Sequence, residues 1–250
     1  MRSIAISLIV FACVFGGAVA GMLLRAFLPK DHLAADSKEV VKVGMGLVAT
    51  MAALVLGLLV ASAKSTYDAQ STELTEMSSK IVVLDRVLAH YGPETGEVRD
   101  VLRGTVARIL DGMWSKDRSD RSRSEPSANG EALYDKIQGL SPKDDKQRAN
   151  QAQALGFAIG LGQTRWLMYE QKVSSVSLPL LIILVLWLSV IFMSFGLFAP
   201  PNATVVVSLL AAALSVSGAV FLIMEMYAPY AGLIQISSAP LRAALAHLGQ

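Results

Sequence analysis

The chain has 250 residues and a formal net charge of +2, yet 53% of its residues are hydrophobic and its mean hydropathy is +0.49. Charge is withheld from long stretches, with no Asp, Glu, Lys or Arg in residues 3–24, 43–63 or 173–224. About 20 apolar residues in a helix cross roughly 30 Å of hydrocarbon, so these gaps exclude a soluble single-domain enzyme. The one cysteine, Cys13, lies in the first apolar run, which leaves no disulfide framework and no thiolate metal site. His32, His90 and His247 share no ligand spacing, so neither a metal site nor a cofactor is expected. There is no phosphate-binding glycine loop, nucleophile elbow or HExxH helix. Charges that alternate in sign leave no basic face for nucleic acid.

The first predicted span covers residues 4–24 and ends near Arg25 and Lys30, whose side chains can reach head groups. Arg2, the apolar stretch and Ala18-Val19-Ala20 also fit a signal peptide with a small-residue cleavage site. Hydrophobicity continues past that site to Phe27 and Leu28, which argues for a retained helix. The second span, 43–63, is flanked by Lys42 and Lys64. At about 100° per residue Gly46, Thr50, Ala53 and Gly57 fall on one narrow face, and Lys64 continues that line at the membrane edge. Such a face either packs a helix closely through small residues or lines a pathway in an oligomer. The third span, 176–198, carries Pro179 in its first turn, where a missing donor is tolerated, and Trp187 near its middle. The turn Ala199-Pro200-Pro201-Asn202 leads into a fourth span, 204–224, so these two form an antiparallel hairpin.

Four crossings put both termini and the long connection between spans two and three on one side. Near-membrane cations there are Arg2, Lys64, Lys80, Arg165, Lys172 and Arg242, against Arg25, Lys30, Lys38 and Lys42 opposite, which assigns the termini to the cytoplasm. Segment 65–171 is then a cytoplasmic region. Leu74, Met77, Ile81, Leu84, Leu88 and Tyr91 recur at three- and four-residue steps, the seam of a helix that packs against partners. That helix is expected to continue span two until Gly92-Pro93, reaching about 40 Å past the membrane at 1.5 Å per residue. A new helix is predicted from Pro93, with Glu94 and Glu97 in its first turn and an apolar face of Val98, Leu102, Val106, Ile109 and Met113.

Residues 115–130 read as a loop, in which the run 116–123 is either a solvated segment or a contact for anionic lipid. A short helix is predicted over 131–139, stopping before Ser141-Pro142. Asp144, Asp145 and Gln147 open a longer helix expected to run through Trp166 and Tyr169 into span three. The expected architecture is one all-α domain over residues 1–250: four transmembrane helices with a helical cytoplasmic bundle between the second and third.

Several strings in order carry a resemblance. Leu28-Pro29 with His32-Leu33, Gly46-Leu47-Val48-Ala49-Thr50, and Leu54-Val55-Leu56-Gly57-Leu58-Leu59 before Ala63-Lys64 come first. Leu84-Asp85-Arg86 with Tyr91-Gly92-Pro93-Glu94 follows, then the Trp187 helix with Phe195-Gly196 and Ala199-Pro200. Pro229, Gly232-Leu233-Ile234 and Ser237-Ser238-Ala239-Pro240-Leu241 end the set. Together they resemble the bestrophin-like membrane family of bacteria and plants, a domain of unknown function, over nearly the whole chain. One departure is visible: family members often carry an acidic residue where Tyr227 stands, so any role of that acid is lost here or falls to Glu225 alone.

The resemblance implies more than the residues do. Bestrophins proper are pentameric anion channels with four membrane helices per subunit, cytoplasmic termini, and a second span whose bulky apolar side chains form a neck. It therefore implies a homo-oligomer, a pentamer on that analogy, in the lipid bilayer of a bacterial inner membrane. The leading functional expectation is a channel for small inorganic anions, not an enzyme, with Gly46, Thr50, Ala53, Gly57 and Lys64 as pore-lining candidates.

Lys64 is either a ring of positive charge at the mouth or a snorkelling interfacial lysine. Thr50 either offers its hydroxyl to the path or bonds back to its own helix. Glu225, the only acidic residue after Glu170, is expected level with Lys64 and Tyr67, in an interhelical pair or in ion handling. The second expectation is an oligomeric sensor or scaffold whose cytoplasmic helices bind a partner without conduction.

Overall fold

The computed structural model describes residues 2–29, 35–114, 127–173, 177–200 and 202–249. Lys30, His32, Leu33, Pro201 and the charged run 116–123 lie outside the described residues, as do the side chains of Arg2, Tyr169 and Lys172. Among the described residues every regular element is a helix. They form two compact units, one of Met1–Tyr67 with Ser175–Tyr227, the other of Asp68–Ser174 with Ala228–Gln250. One long helix, α2 (Ala35–Tyr91), contributes to both.

The first unit is built from α1 (Arg2–Phe27), the first part of α2, α6 (Leu178–Phe198) and α7 (Ala203–Met226). All four helices are long and apolar enough to cross a membrane. The first, second and fourth predicted spans fall within α1, α2 and α7, and α6 covers the third, 176–198, from Leu178 onward; α1 packs on α6 and α7. Inside hydrocarbon there is little hydrophobic drive between helices, so association rests on close van der Waals packing through small residues. Here that packing is made by α1 and α6. A Cβ on Gly21 would stand 2.0 Å from the Met193 carbonyl oxygen, one on Gly196 2.0 Å from that of Ala18, and one on Gly17 2.6 Å from that of Ser189. Only hydrogen fits where the two backbones meet. Val14 and Ala18 of α1, Leu59 and Ala63 of α2, Leu184 and Ile191 of α6, and Val220 and Ile223 of α7 fill the core.

The helix ends of this unit are satisfied locally. The Asn202 side chain accepts from the Val205 amide at 2.9 Å, capping α7, as Asn does at an N-cap. At the end of α6, Arg25 of α1 donates from Nη1 to the Ala199 carbonyl, placing a cation where the last carbonyls collect negative charge. One expectation fails at the other end of α6. The helix after Asp144 does not run on into the third span: it ends at Val173, and α6 starts afresh after Ser177, whose ψ of 87° is not helical. Pro179 explains the break, since a helix running through it would lose a hydrogen bond and bring the ring against the carbonyl four residues earlier.

The second unit holds the rest of α2, a 3₁₀ turn (Pro93–Thr95), α3 (Gly96–Trp114), α4 (Ser127–Gln138), α5 (Asp145–Val173) and α8 (Ala239–His247). All six seam residues of α2, Leu74 to Tyr91, are buried, as are all five of the α3 face. α2 stops where expected. Gly92 takes φ +139°, a conformation that only glycine adopts freely, and Pro93 follows. Thr95 then donates from Oγ1 to the Leu88 and Gly92 carbonyls at 2.7 and 2.8 Å, closing the last turn. α4 begins at Ser127 rather than at 131, so the helix that buries Leu133 and Ile137 starts one turn earlier than predicted, and the rest of the predicted loop, 115–126, lies outside the described residues.

α5 opens as its sequence suggested. The Gln147 amide donates to Asp144 Oδ1 at 2.7 Å while Gln147 Oε1 accepts from the Lys143 amide at 2.7 Å, a reciprocal arrangement close to a capping box.

Gly21→Ala and Gly196→Ala are each expected to destabilise the detergent-solubilised protein by about 1–3 kcal/mol through overpacking. Gly44→Ala, with nothing within 4 Å of its Cβ position, is expected to be neutral or stabilising. Unfolding followed by circular dichroism checks this, and an equal response at all three positions would refute the backbone contact.

Candidate functional site

Five residues marked on the second span come out together. Gly46, Thr50, Ala53, Gly57 and Lys64 are all exposed in the chain, and nothing lies within 4 Å of a Cβ built on Gly46 or Gly57. The reason is rotational. α2 turns Ala52, Leu59 and Ala63 into the core, which leaves the opposite side, with Leu47, Leu54 and Leu58, facing away. The small-residue stripe therefore makes no close contact within the chain, whereas the tight approach is made by Gly17, Gly21 and Gly196. Gly17-x-x-x-Gly21 is the spacing that signals such an approach in an apolar helix, and it was legible in the first span.

Thr50 bonds back to its own helix, its Oγ1 donating to the Leu47 carbonyl at 2.7 Å. Lys64 Nζ stands 5.8 Å from the centroid of the Tyr67 ring three residues on, within cation–π range. Glu225 is buried in the last turn of α7, its side chain covered by the chain's own residues. Tyr227 closes α7 and pairs its hydroxyl with Ser62 Oγ at 3.2 Å. Trp187 is half-buried and packs against the core of the first unit. At one end of the unit Gly46 also borders a cavity of about 630 Å³, shared with Lys38, Lys42, Phe195 and Phe198.

The motif residues of the second unit form a different kind of site. Asp85 is 1% exposed and receives a two-pronged hydrogen bond from Arg99, Nε to Oδ1 at 2.7 Å and Nη2 to Oδ2 at 2.8 Å. The planar guanidinium matches a carboxylate in this geometry, and the Asp85 bond holds the Arg99 guanidinium above its ordinary pKa. The Gly249 amide also approaches Asp85 Oδ2, at 3.4 Å. Arg86, next in sequence, is exposed.

Tyr91 is buried, and burial followed by the nearby Glu94 pushes its hydroxyl pKa up. Its carbonyl accepts from Gln147 Nε2 at 3.0 Å, so Gln147 ties the end of α2 to the start of α5. Beside this junction Lys143 bonds Glu94 at 2.7 Å and Lys136 bonds Glu97. Each lysine holds its glutamate below the usual carboxylate range. Gly92 and Pro93 supply the turn itself. These family positions position helices, and none presents a reactive group to a cleft.

The last motif segment is fixed by residues that the sequence reading did not single out. Trp114 Nε1 donates to the Ile236 carbonyl at 3.0 Å and its ring meets Tyr230 edge-on at 5.5 Å. Burial, then Glu73, drives the Tyr230 hydroxyl pKa upward. The Ile236 amide bonds the Pro229 carbonyl at 2.8 Å, and Gly232 takes φ +127° in the turn between them. An arginine fourteen residues from its carboxylate, or a tryptophan 122 residues from its acceptor, has no local spacing by which to be found.

Asp85→Asn is expected to cost about 3–5 kcal/mol, because it leaves Arg99 without its ionic partner beside a buried amide. Thermal or chemical unfolding of the purified protein checks this, and a loss below about 1 kcal/mol would show that the pair contributes no more than an exposed one.

No curated protein matches the chain, and neither does any solved structure. The profile of the Bestrophin-like domain does match, over residues 12–241. That range takes in α1 from residue 12, the other three long apolar helices whole and every motif position described above, so the chain belongs to the bestrophin-like family.

Proposed function

We propose that the chain is one subunit of a homo-oligomeric membrane channel that passes small anions, with α2 around the axis. The observation that carries this reading is the outward face of α2. From residue 43 to 63 it holds no charge and presents glycines and bulky leucines away from the chain's own core. An exposed glycine inside a helix costs about 1 kcal/mol relative to alanine, so glycines fronting open space suit a helix that another body approaches closely. Four helices around a filled core enclose no path by themselves, hence the need for copies. The charge on this face at its Tyr67 end is the exposed Lys64, which favours anions, while the carboxylate of Glu225 is covered. The excess of basic residues near the membrane supports an orientation with both termini in the cytoplasm of a bacterial cell.

The sensor or scaffold reading is supported less well. It drew on the seam from Leu74 to Tyr91 as a docking surface, and those six side chains are buried within the chain, so a partner would need another face.

The mass of the purified protein in detergent is expected to correspond to several chains, and a monomer would refute the channel. Liposomes carrying it are expected to release chloride faster than empty vesicles and to exclude sodium. Gly57→Phe separates the two roles of the face, since the chain itself leaves room for the ring. A normally assembled but blocked variant places Gly57 on the path, whereas a variant that fails to assemble places it between subunits. Normal assembly with unchanged flux would remove the face from both roles.

A further inference from the structure

The second unit holds a partly open cavity of about 50 Å³ lined by α2, α3, α4 and α5. Its lining is apolar, with Ile81, Leu102, Leu133 and Leu161 among the walls, except for Thr105 and Arg165. Arg165 stands on α5, half-buried. Among the described residues no carboxylate lies within ion-pair distance of it and no acceptor takes a hydrogen bond from its guanidinium. The charge it meets is a second cation, Arg108 of α3, and burial together with that like charge weakens its hold on its proton. Arg108 has acceptors of its own, donating to the Gly104 carbonyl at 3.2 Å and to Thr105 Oγ1 at 3.3 Å.

Among the described residues this arrangement lacks a negative charge. A buried lysine in the same position could escape by losing its proton, but an arginine stays charged in proteins, and buried charges are otherwise paired. We propose that the cavity binds a short-chain carboxylate, with the carboxylate on the Arg165 guanidinium and the hydrocarbon tail against the apolar wall. The planar guanidinium accepts a carboxylate on two parallel hydrogen bonds. The tail follows from the lining, which offers an inorganic anion nothing beyond Arg165 and Thr105. Its length follows from the volume: at about 10–15 Å³ per water-sized group the cavity holds about four, so butyrate is the probe of matching size. The site lies in the helical bundle, and its occupancy does not depend on whether the protein conducts.

Saturation-transfer NMR on the full-length protein in detergent tests this with butyrate, n-butanol and sulfate. Butyrate is expected to receive saturation on its methyl and methylene protons, at least tenfold more strongly than butanol, which has the same tail without the charge. Sulfate in equal concentration is expected to displace little of it. The butyrate signal is expected to fall to background in Arg165→Gln, which removes the charge, and in Ala158→Leu, which fills the cavity while leaving Arg165 in place. Both variants are first checked for wild-type elution and helical content, and the ligand comparisons on the unaltered protein stand without them. Equal signals from butyrate and butanol would overturn the role of Arg165. Full displacement by sulfate would overturn the apolar tail, and an absent signal, or one unchanged in both folded variants, would overturn the site.

Discussion

The first unit depends on a contact between two peptide backbones. α1 lies so close to α6 that the carbonyl oxygens of Met193 and Ala18 stand where the Cβ atoms of Gly21 and Gly196 would be. Bulky side chains could not substitute for this contact, because leucine gains as much from a lipid tail as from another leucine. With α1 seated on α6 and α7, α2 turns one side of itself into the core, burying Ala52, Leu59 and Ala63 with Met45, Val48, Ala49, Val55 and Leu56 packed beside them. The other side of α2 is left outward by default. The face that makes the chain look like part of an assembly is thus a by-product of which helix α1 occupies.

The second unit is stabilised by different means. The segment 64–172 carries 32 of the chain's 42 charged side chains, and most of its ion pairs are exposed and weak. The Asp85–Arg99 pair differs in being enclosed, and enclosed pairs contribute positional definition more dependably than net stability. It joins α2 to α3 across the Gly92 turn, while Gln147 joins the same turn to α5. The motif residues around Tyr91-Gly92-Pro93 therefore converge on one junction that fixes where three helices begin or end. Their recurrence as a string reflects geometry rather than chemistry.

What was legible in the sequence was whatever repeats along a single helix. Three uncharged runs, the last divided at Pro200-Pro201, yielded four long helices, and the three- and four-residue steps of Leu74 to Tyr91 and Val98 to Met113 yielded two buried faces. The stop at Gly92-Pro93 was equally plain, because glycine and proline act on their own backbone. Contacts between distant segments were not legible: nothing near Asp85 names Arg99, and nothing near Trp114 names Ile236. One miss was local: Pro179 suits a first turn, and for the same reason it stops a helix arriving from before it. The small residues of α2 share a face that the chain leaves outward, while the spacing Gly17-x-x-x-Gly21 marks the helix that is tightly packed within the chain. The family itself was legible from the ordered strings, while conduction is a property of several copies and is not written in any one of them.

The hydroxyl of Thr50 has its proton committed to the Leu47 carbonyl, so what it turns outward is an oxygen lone pair. Apart from the Met51 thioether, every other exposed side chain of α2 from residue 46 to 57 is hydrocarbon or the hydrogen of glycine. A path along this face would then give a passing anion no donor to replace the water it leaves behind. The barrier would be set by the work of stripping hydration, and ions would rank by how weakly they hold their water, with large, diffuse anions ahead of chloride and fluoride last. Such a ranking needs no binding pocket and no selective residue, only a dry stretch of helix whose single polar side chain faces the wrong way to help.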